Sequence, residues 1–499
     1  MKLFIFLLLT INCFCQTPVI EWQKSYGGTN YDNARSVAQT SDGGYIVVGN
    51  TSSNDGNVTQ SFGNGDILII KINSLGIVEW QKTYGGFNTE FINSIQQTND
   101  DGFILSGFSK SNNGAYSTNH GNNDYLILKL NSNGDIDWQK NYGGTGEDLA
   151  LDAIQTNDGG YAVIGQTASN NGNLVANHGL VDYWVLKLFP DGNIEWQNTY
   201  GGSGNDTGEK IQQTNDGGYI LIGFSNSTNG DIISHIGASD MWILKINSGG
   251  IIEWEKSIGT VLNDYGYGIV QTNDLGYVLS GTTNSSSNNN VMVTKLNSSG
   301  NVEWQNTYGG NGDDFNYSIQ TDSDGGYIFI GYSESTNNNF SNNHGNYDIW
   351  LTKINGSGDF LWQKLLGGTN YDFAFCVKKT TDNGYIVAGD TGSTNGDVQQ
   401  NFGLSDFWLI KLSPEQLSNS IFQQENLFIY PNPTTNLINL KFPHGITIDK
   451  IVITELTGKI ILTLTENITQ INTENLSNGV YFVQAFSEEK KYQSKFIKQ

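Results

Sequence analysis

Arginine is almost absent from this chain: Arg35 is its one guanidinium in 499 residues. Basic residues number 25 against 49 acidic ones, a net charge of −24. A surface of that sign repels nucleic acid, polyphosphates and anionic bilayers. From Glu415 to the end 7 lysines face 8 acids, so the excess lies almost wholly ahead of that point. Cations, neutral glycans or a basic protein remain open as partners, and acidity also keeps an exported protein soluble. Cysteine is as scarce, with 3 in all. Cys13 and Cys15 stand in the first fifteen residues; once these are removed Cys376 is alone. That excludes an intrachain disulfide and a cysteine-based metal cluster. Only 3 methionines and 6 prolines occur, and long runs of helix-favouring residues are missing. In their place come 61 glycines, many asparagines and 12% aromatics, the composition of strands joined by tight turns. An all-β fold is predicted.

The first fifteen residues read as an export signal. Lys2 supplies a positive start, and residues 3–11 form an apolar run too short to span a bilayer. Cys13 and Cys15 are small residues at −3 and −1 to a cut before Gln16. A lipoprotein box is the rival, weakened because Asn12 and Phe14 precede the cysteines. No later segment is long and apolar enough to cross a membrane.

Seven tryptophans recur in one setting: Trp22, Trp80, Trp138, Trp196, Trp254, Trp304 and Trp362, spaced by 58 residues except for one step of 50. Each unit runs from a Trp strand through a Gly-Gly pair and a connector, then through two more strands. A long Ser/Asn/Gly loop leads to an Asp-aromatic strand and a turn into the next Trp. Runs such as 45–48 and 68–72 are apolar on both faces, as strands between stacked sheets are. Four antiparallel strands repeated radially predict a β-propeller; a solenoid would need atypical capping repeats, and none is present. The chain enters on a Trp strand and leaves unit seven without one. A seven-bladed ring closed by pairing the N-terminal strand with the last three strands is therefore predicted over residues 16–413.

Beyond a polar linker at 414–426 the pattern changes. Residues 427–499 contain Tyr430-Pro431-Asn432-Pro433, then Leu456-Thr457-Gly458-Lys459. Next come Leu476-Ser477-Asn478-Gly479-Val480-Tyr481-Phe482 and the basic ending Lys495-Phe496-Ile497-Lys498. They predict a small β-sandwich with hairpins at Gly458 and Gly479. These ordered motifs resemble the C-terminal sorting domain of the type IX secretion system of Bacteroidetes. The resemblance implies export through the periplasm, engagement of the type IX machinery at the outer membrane, and often removal of the tail. The cargo is then attached to surface lipopolysaccharide or released. The repeats resemble tandem propeller repeats of secreted proteins from the same bacteria, which implies fold but little function.

Candidate chemistry lies on the rim that bears the connectors and long loops. Each connector carries an acid in the same place: Asp32, Glu90, Asp148, Asp206, Asp264, Asp314 and Asp372. Seven carboxylates could ring the channel mouth and draw in Ca²⁺ or a polyol. The preferred reading is that each caps backbone N–H groups of its own turn, because a position repeated in every unit is more simply a folding requirement. His120, His178 and His344 occupy a slot that elsewhere holds Phe62, Ile236 and Phe402, which argues for packing and against metal ligation. A lysine recurs seven times, from Lys71 to Lys411, opposite an acid beside Trp in six units. Leu361 breaks the pattern, and a cross-strand staple is predicted. No nucleophile elbow, phosphate loop or His-Glu-x-x-His motif is present. Apart from a long loop eight residues short in unit five, the units read as interchangeable. The favoured function is a secreted or surface binding propeller without a cofactor, its ligand a glycan, a cation or a protein. An extracellular glycoside hydrolase or lyase and a structural surface-layer component are the alternatives.

Overall fold

The computed structural model describes residues 14–113, 119–174, 176–284, 287–337, 340–418, 427–442, 448–455, 457–465, 469–487 and 491–499. Residues 1–13 of the expected export signal, 419–426 of the expected linker, and Leu456 lie outside the described residues. The chain divides into two compact units, one spanning Thr17–Glu415 and the other formed by Met1–Gln16 with Gln416–Gln499.

The larger unit is a seven-bladed propeller. Blade one places Asp32–Gln39 innermost, followed by Tyr45–Thr51, Asp66–Ile72 and, outermost, Val78–Tyr84. Five further sheets repeat this order. Blade seven consists of Asp372–Lys379, Tyr385–Thr391 and Asp406–Leu412, completed by Ile20–Tyr26 from the N-terminal end. Tyr26 faces Phe407 and Trp22 faces Lys411 in an antiparallel ladder, so the ring has no free edge there. The middle strands are buried along their whole length because both faces meet neighbouring blades. Each unit alone would leave those faces wet, so the apolar pattern is satisfied only when the blades stack.

The repeated tryptophan is the contact between blades. Trp22 stacks edge-on at 5.9 Å against Tyr45 of the next blade, and all seven copies make the equivalent contact. Trp22 Nε1 donates to the Ser74 carbonyl in the facing turn. The ring slides under that turn because Gly76, at φ +74°, carries no Cβ; one placed there would meet the indole at 3.1 Å.

The lysine staple forms as expected and is doubled. Lys71 is buried between Glu79 at 2.7 Å and Asp42 at 2.8 Å, an acid of the inner hairpin turn. Five other blades pair the equivalent lysine with the acid beside Trp. In the sixth, where Leu361 replaces that acid, Lys353 turns to Asp322, Asp324 and Glu415. Asp322 occupies the place held by Thr40, Thr98 and their equivalents in the other blades. A charge lost from the outer strand has reappeared on the inner hairpin, because a buried ammonium must keep an anionic partner.

In the smaller unit, Phe14–Gln16 pairs with Gln416–Ser418. Its main body is a sandwich. One sheet orders Phe428–Tyr430, Leu437–Lys441 and Gln470–Asn472; the other orders Ile460–Leu464, Lys450–Glu455, Gly479–Phe486 and Lys491–Lys498. Gly458, at φ +82°, closes the hairpin expected there. Gly479 does not close one. The strand before it pairs with Leu437–Asn439 in the first sheet, while Gly479–Phe486 pairs in the second. The chain crosses between layers at this point, which is how two sheets enclose one core. The other signature residues serve the same sandwich. Asn432 accepts from the Ile497 amide at 2.9 Å and donates to the Lys495 carbonyl, tying the Tyr430-Pro431-Asn432-Pro433 segment to the last strand. Tyr481 stacks on Phe496 at 5.4 Å. Lys498 is buried, whereas Tyr430 and Lys495 face outward.

Candidate functional site

The seven connector acids do not face solvent. Asp32, Glu90, Asp148, Asp206, Asp264, Asp314 and Asp372 are each 0% exposed. Each accepts from the backbone amide four residues earlier, as Asp148 does from Gly144 at 2.8 Å. Hydroxyls complete the shell: Ser169 Oγ donates to Asp148 at 2.8 Å and Thr167 Oγ1 donates to its other oxygen. A ring of open carboxylates waiting for Ca²⁺ or a polyol is not the arrangement seen. The acids pin the Gly-Gly turn to the loop beside it, because a buried carboxylate must collect donors. The histidines act on the same level. His120, His178 and His344 donate backbone N–H groups and place Nδ1 within 2.8–2.9 Å of Asp124, Asp182 and Asp348. Among the described residues no three His, Cys, Asp or Glu side chains converge as a metal requires.

A different position sets the blades apart. Every innermost strand carries a β-bulge at its fourth residue, where the ladder skips one side chain. The bulge presses a carbonyl against the second strand, and only glycine fits there. A Cβ on Gly165 would meet the Leu149 carbonyl at 1.9 Å. The skipped residues are Arg35, Asn93, Leu151, Glu209, Tyr267, Tyr317 and Phe375, no two blades matching except for the pair of tyrosines. Arg35, Tyr267, Tyr317 and Phe375 help to line a central cavity of about 280 Å³. Around the axis the tryptophan, lysine and connector-acid frame repeats, whereas this layer and the second, fifth and seventh residues of the inner strand vary from blade to blade. Repeat-to-repeat comparison at the fourth residue of the inner strand is the signal that exposes it; attention to what recurs had hidden it.

The layer is lopsided. Blades five to seven build an aromatic wall, with Tyr267 stacked on Tyr317 at 5.0 Å and Tyr317 edge-on to Phe375 at 5.1 Å. Tyr332 lies 5.6 Å from Tyr317 and 4.6 Å from Phe373. Tyr347 and Tyr371 carry the wall outward to the rim. Next to it the Arg35 guanidinium sits 4.2 Å from the Phe375 ring and 5.1 Å from that of Phe91. Across the ring stand Leu151 and Glu209. Burial pushes the Glu209 carboxyl up to about 7, with Lys210 opposing the shift. Lys210 lies 3.6 Å from Asp152, with 35% of its side chain open to the channel. Asp390, beside Arg35 in the charge network, is also pushed up to about 7 by burial despite the opposing guanidinium. In blade five, where the long loop is eight residues short, the second and third strands pair out to Asn284 and Asn289.

These acids set the pH response. Burial raises Asp314 and Asp406 to about 6 and Asp390 and Glu209 to about 7. Folding favours their protonated forms, so their stabilisation is complete below the ordinary carboxylate pKa and is lost as pH climbs through 6 and 7. The turn acids Asp42, Asp100, Asp158, Asp216, Asp274 and Asp382 are held at about 2; burial opposes that shift, which their lysine, threonine and backbone hydrogen bonds drive. Their contribution is present above pH 4 and lost as pH falls through 2. Thermal melts should therefore peak at about pH 4–5 and decline towards pH 8. Asp390→Asn should flatten the neutral limb, and a melting temperature that rose from pH 5 to pH 8 would contradict the assignment.

Residues 428–499 match the family model described as a secretion system C-terminal sorting domain. The tail is a type IX sorting domain, and it marks the chain for export to the cell surface or the extracellular space. No curated protein matches the sequence. Among solved structures, the chain is similar to the WD40 domain of Neurospora crassa Pan2, at 9% identity and TM-score 0.43 over 77% of this chain and 90% of that one. It is similar to Chaetomium thermophilum Sqt1 at 9% identity and TM-score 0.44, over 79% of this chain and 98% of that one. A third likeness is to PorZ, a surface component of the type-IX secretion system of Porphyromonas gingivalis. There the identity is 11% and the TM-score 0.31, over 92% of this chain and 73% of that one. These scores carry no functional argument; the seven sheets themselves define the propeller.

Proposed function

We propose that this exported β-propeller is a binding protein whose ligand enters the lopsided mouth of the central channel. The reading is supported by one observation above all. The side chains of the innermost strands, the bulge residues among them, differ from blade to blade while the tryptophan, lysine and connector-acid frame repeats. A ligand at the axis sees seven walls at once, and only unlike walls can orient it. Stacked tyrosines beside polar and charged groups suit a glycan, whose ring faces pack on aromatics while its hydroxyls take hydrogen bonds. In this reading residues 1–15 are removed on export, 16–413 form the working propeller, and 414–426 tether the tail. The mature protein is then held on surface lipopolysaccharide or released.

The test is a glycan and cation screen on the mature chain, residues 16–499, repeated with Tyr317→Ala and with Asp135→Ala on an outer turn. Tyr317→Ala should weaken the best hit at least tenfold and Asp135→Ala should leave it unchanged. Equal affinities for the two variants would remove the mouth from consideration. One feature favours a second reading, hydrolysis: Glu209, which burial pushes up to about 7, lies close enough to the cavity-lining Asp152 to feel its charge. Release of reducing ends from a bound glycan, abolished in Glu209→Gln, would establish it.

A further inference from the structure

Among the described residues of the propeller, every buried lysine has carboxylate partners. Each frame lysine meets at least two carboxylates, and Lys210 has Asp152. Arg35 is the exception. Among the described residues its guanidinium makes no ion pair or hydrogen bond, and Nε is buried without a partner. Asp390 acts on it through space; one of its oxygens accepts from the Ser405 hydroxyl at 3.1 Å, and the other is buried without a hydrogen-bond partner. Arg35 is also the sole arginine in a chain of net charge −24, and it stands at a bulge position that varies from blade to blade. If its task were packing between Phe91 and Phe375, a leucine or methionine would fill the gap without desolvating a charge.

The geometry defines what Arg35 can hold. The guanidinium carbon stands over the rings of Phe375 and Phe91, which pack against the group without giving its N–H donors an acceptor oxygen. A planar fork of donors is matched by a group with two coplanar acceptor oxygens, which a carboxylate supplies and a lone hydroxyl does not. Lys378 and Lys210, the latter paired with Asp152, line the same cavity. The adjoining wall of Tyr317, Tyr267 and Phe375 lines the same cavity. Resting on the reading of the mouth as the binding site, we propose that it takes the carboxylate-bearing end of an acidic glycan, a uronic-acid sugar. The carboxylate lies on the Arg35 edge and the sugar ring on the Tyr317–Phe375 wall. The protein's overall charge opposes approach of such a ligand, so recognition is local, and selectivity comes from the paired edge rather than from long-range attraction.

Tri-galacturonic acid and its methyl ester share every ring and differ only in the carboxylate, so they isolate the claim. Calorimetry with the mature chain at pH 7 should show the acid binding at least tenfold tighter than the ester. Arg35→Lys keeps the charge but not the fork, and should lose most of that preference. Arg35→Gln should lose all of it. Melting curves matching the parent within 3 °C serve as the folding control, with Arg35→Lys deciding the matter if Arg35→Gln fails it. Equal binding of acid and ester, or an acid preference that survives in Arg35→Lys, overturns the inference. So does tighter binding of the tripeptide Gly-Gly-Phe, which would assign the site to a peptide C-terminus. If neither trimer binds while another glycan binds in a Tyr317-dependent way, this inference falls and the binding mouth stands. Loss of Tyr317 dependence for every glycan would remove both.

Discussion

Deleting the first Trp strand is expected to undo the propeller. A mature chain starting at Gly27 leaves blade seven with three strands and exposes the whole edge of Asp406–Leu412. Lys411 loses Glu21, and the buried Trp408 loses the Gln23 carbonyl oxygen that its indole N–H reaches at 2.9 Å. Tyr26, part of the core between blades seven and one, disappears as well. The cost is therefore a ladder, a staple and an inter-blade contact together, at a place where the ring holds itself shut. Circular dichroism melts should show a transition lower by on the order of 10 °C or more, or none that is cooperative. Size-exclusion chromatography should show association through the bared edge. A peptide of residues 17–28 added in trans should restore the monomer. A truncated chain with parental melting behaviour would mean that the ring is held closed by something other than this strand.

Asp148→Ala is expected to give the largest loss of any single rim substitution, and to give it in stability rather than binding. The carboxylate satisfies the Gly144 amide and the Ser169 and Thr167 hydroxyls, all buried. Leaving buried donors without a partner costs about 1–3 kcal/mol each, so a loss of about 3 kcal/mol or more is expected after relief of the buried charge. Asp206→Ala and Asp372→Ala should behave alike, because blades four and seven repeat the contacts. Urea unfolding measures the loss, and calorimetry on protein kept well below the transition should show unaltered ligand affinity. Intact stability with lost cation or glycan binding would reinstate the acids as a binding ring.

Much of the propeller is legible in the chain. The tryptophan spacing marks seven modules, and the missing eighth Trp strand identifies which strand must close the ring. The lysine and its acid are hairpin neighbours, so their pairing follows from register alone. The capping role of the connector acids is legible too, from their recurrence beside a Gly-Gly turn. The second acid of each staple was missed, because Asp42 and Lys71 belong to different hairpins. The exchange of Leu361 for Asp322 was missed for the same reason. Gly479 was assigned to a hairpin because turn chemistry is local, while the choice of partner sheet is not.

The bulge layer shows the limit most clearly. Arg35, Asn93, Leu151, Glu209, Tyr267, Tyr317 and Phe375 look like tolerated variation when each is read in its own strand. Module, turn and closing strand were determined by the sequence itself, since each depends on chemistry within a few residues or on an apolar face that needs a neighbour. Which side chains share the axis was decided only by the closed ring. Closure is what brings Arg35 within 4.2 Å of the Phe375 ring, across 340 positions of chain, because side chains that project inward from seven separate blades can meet nowhere else.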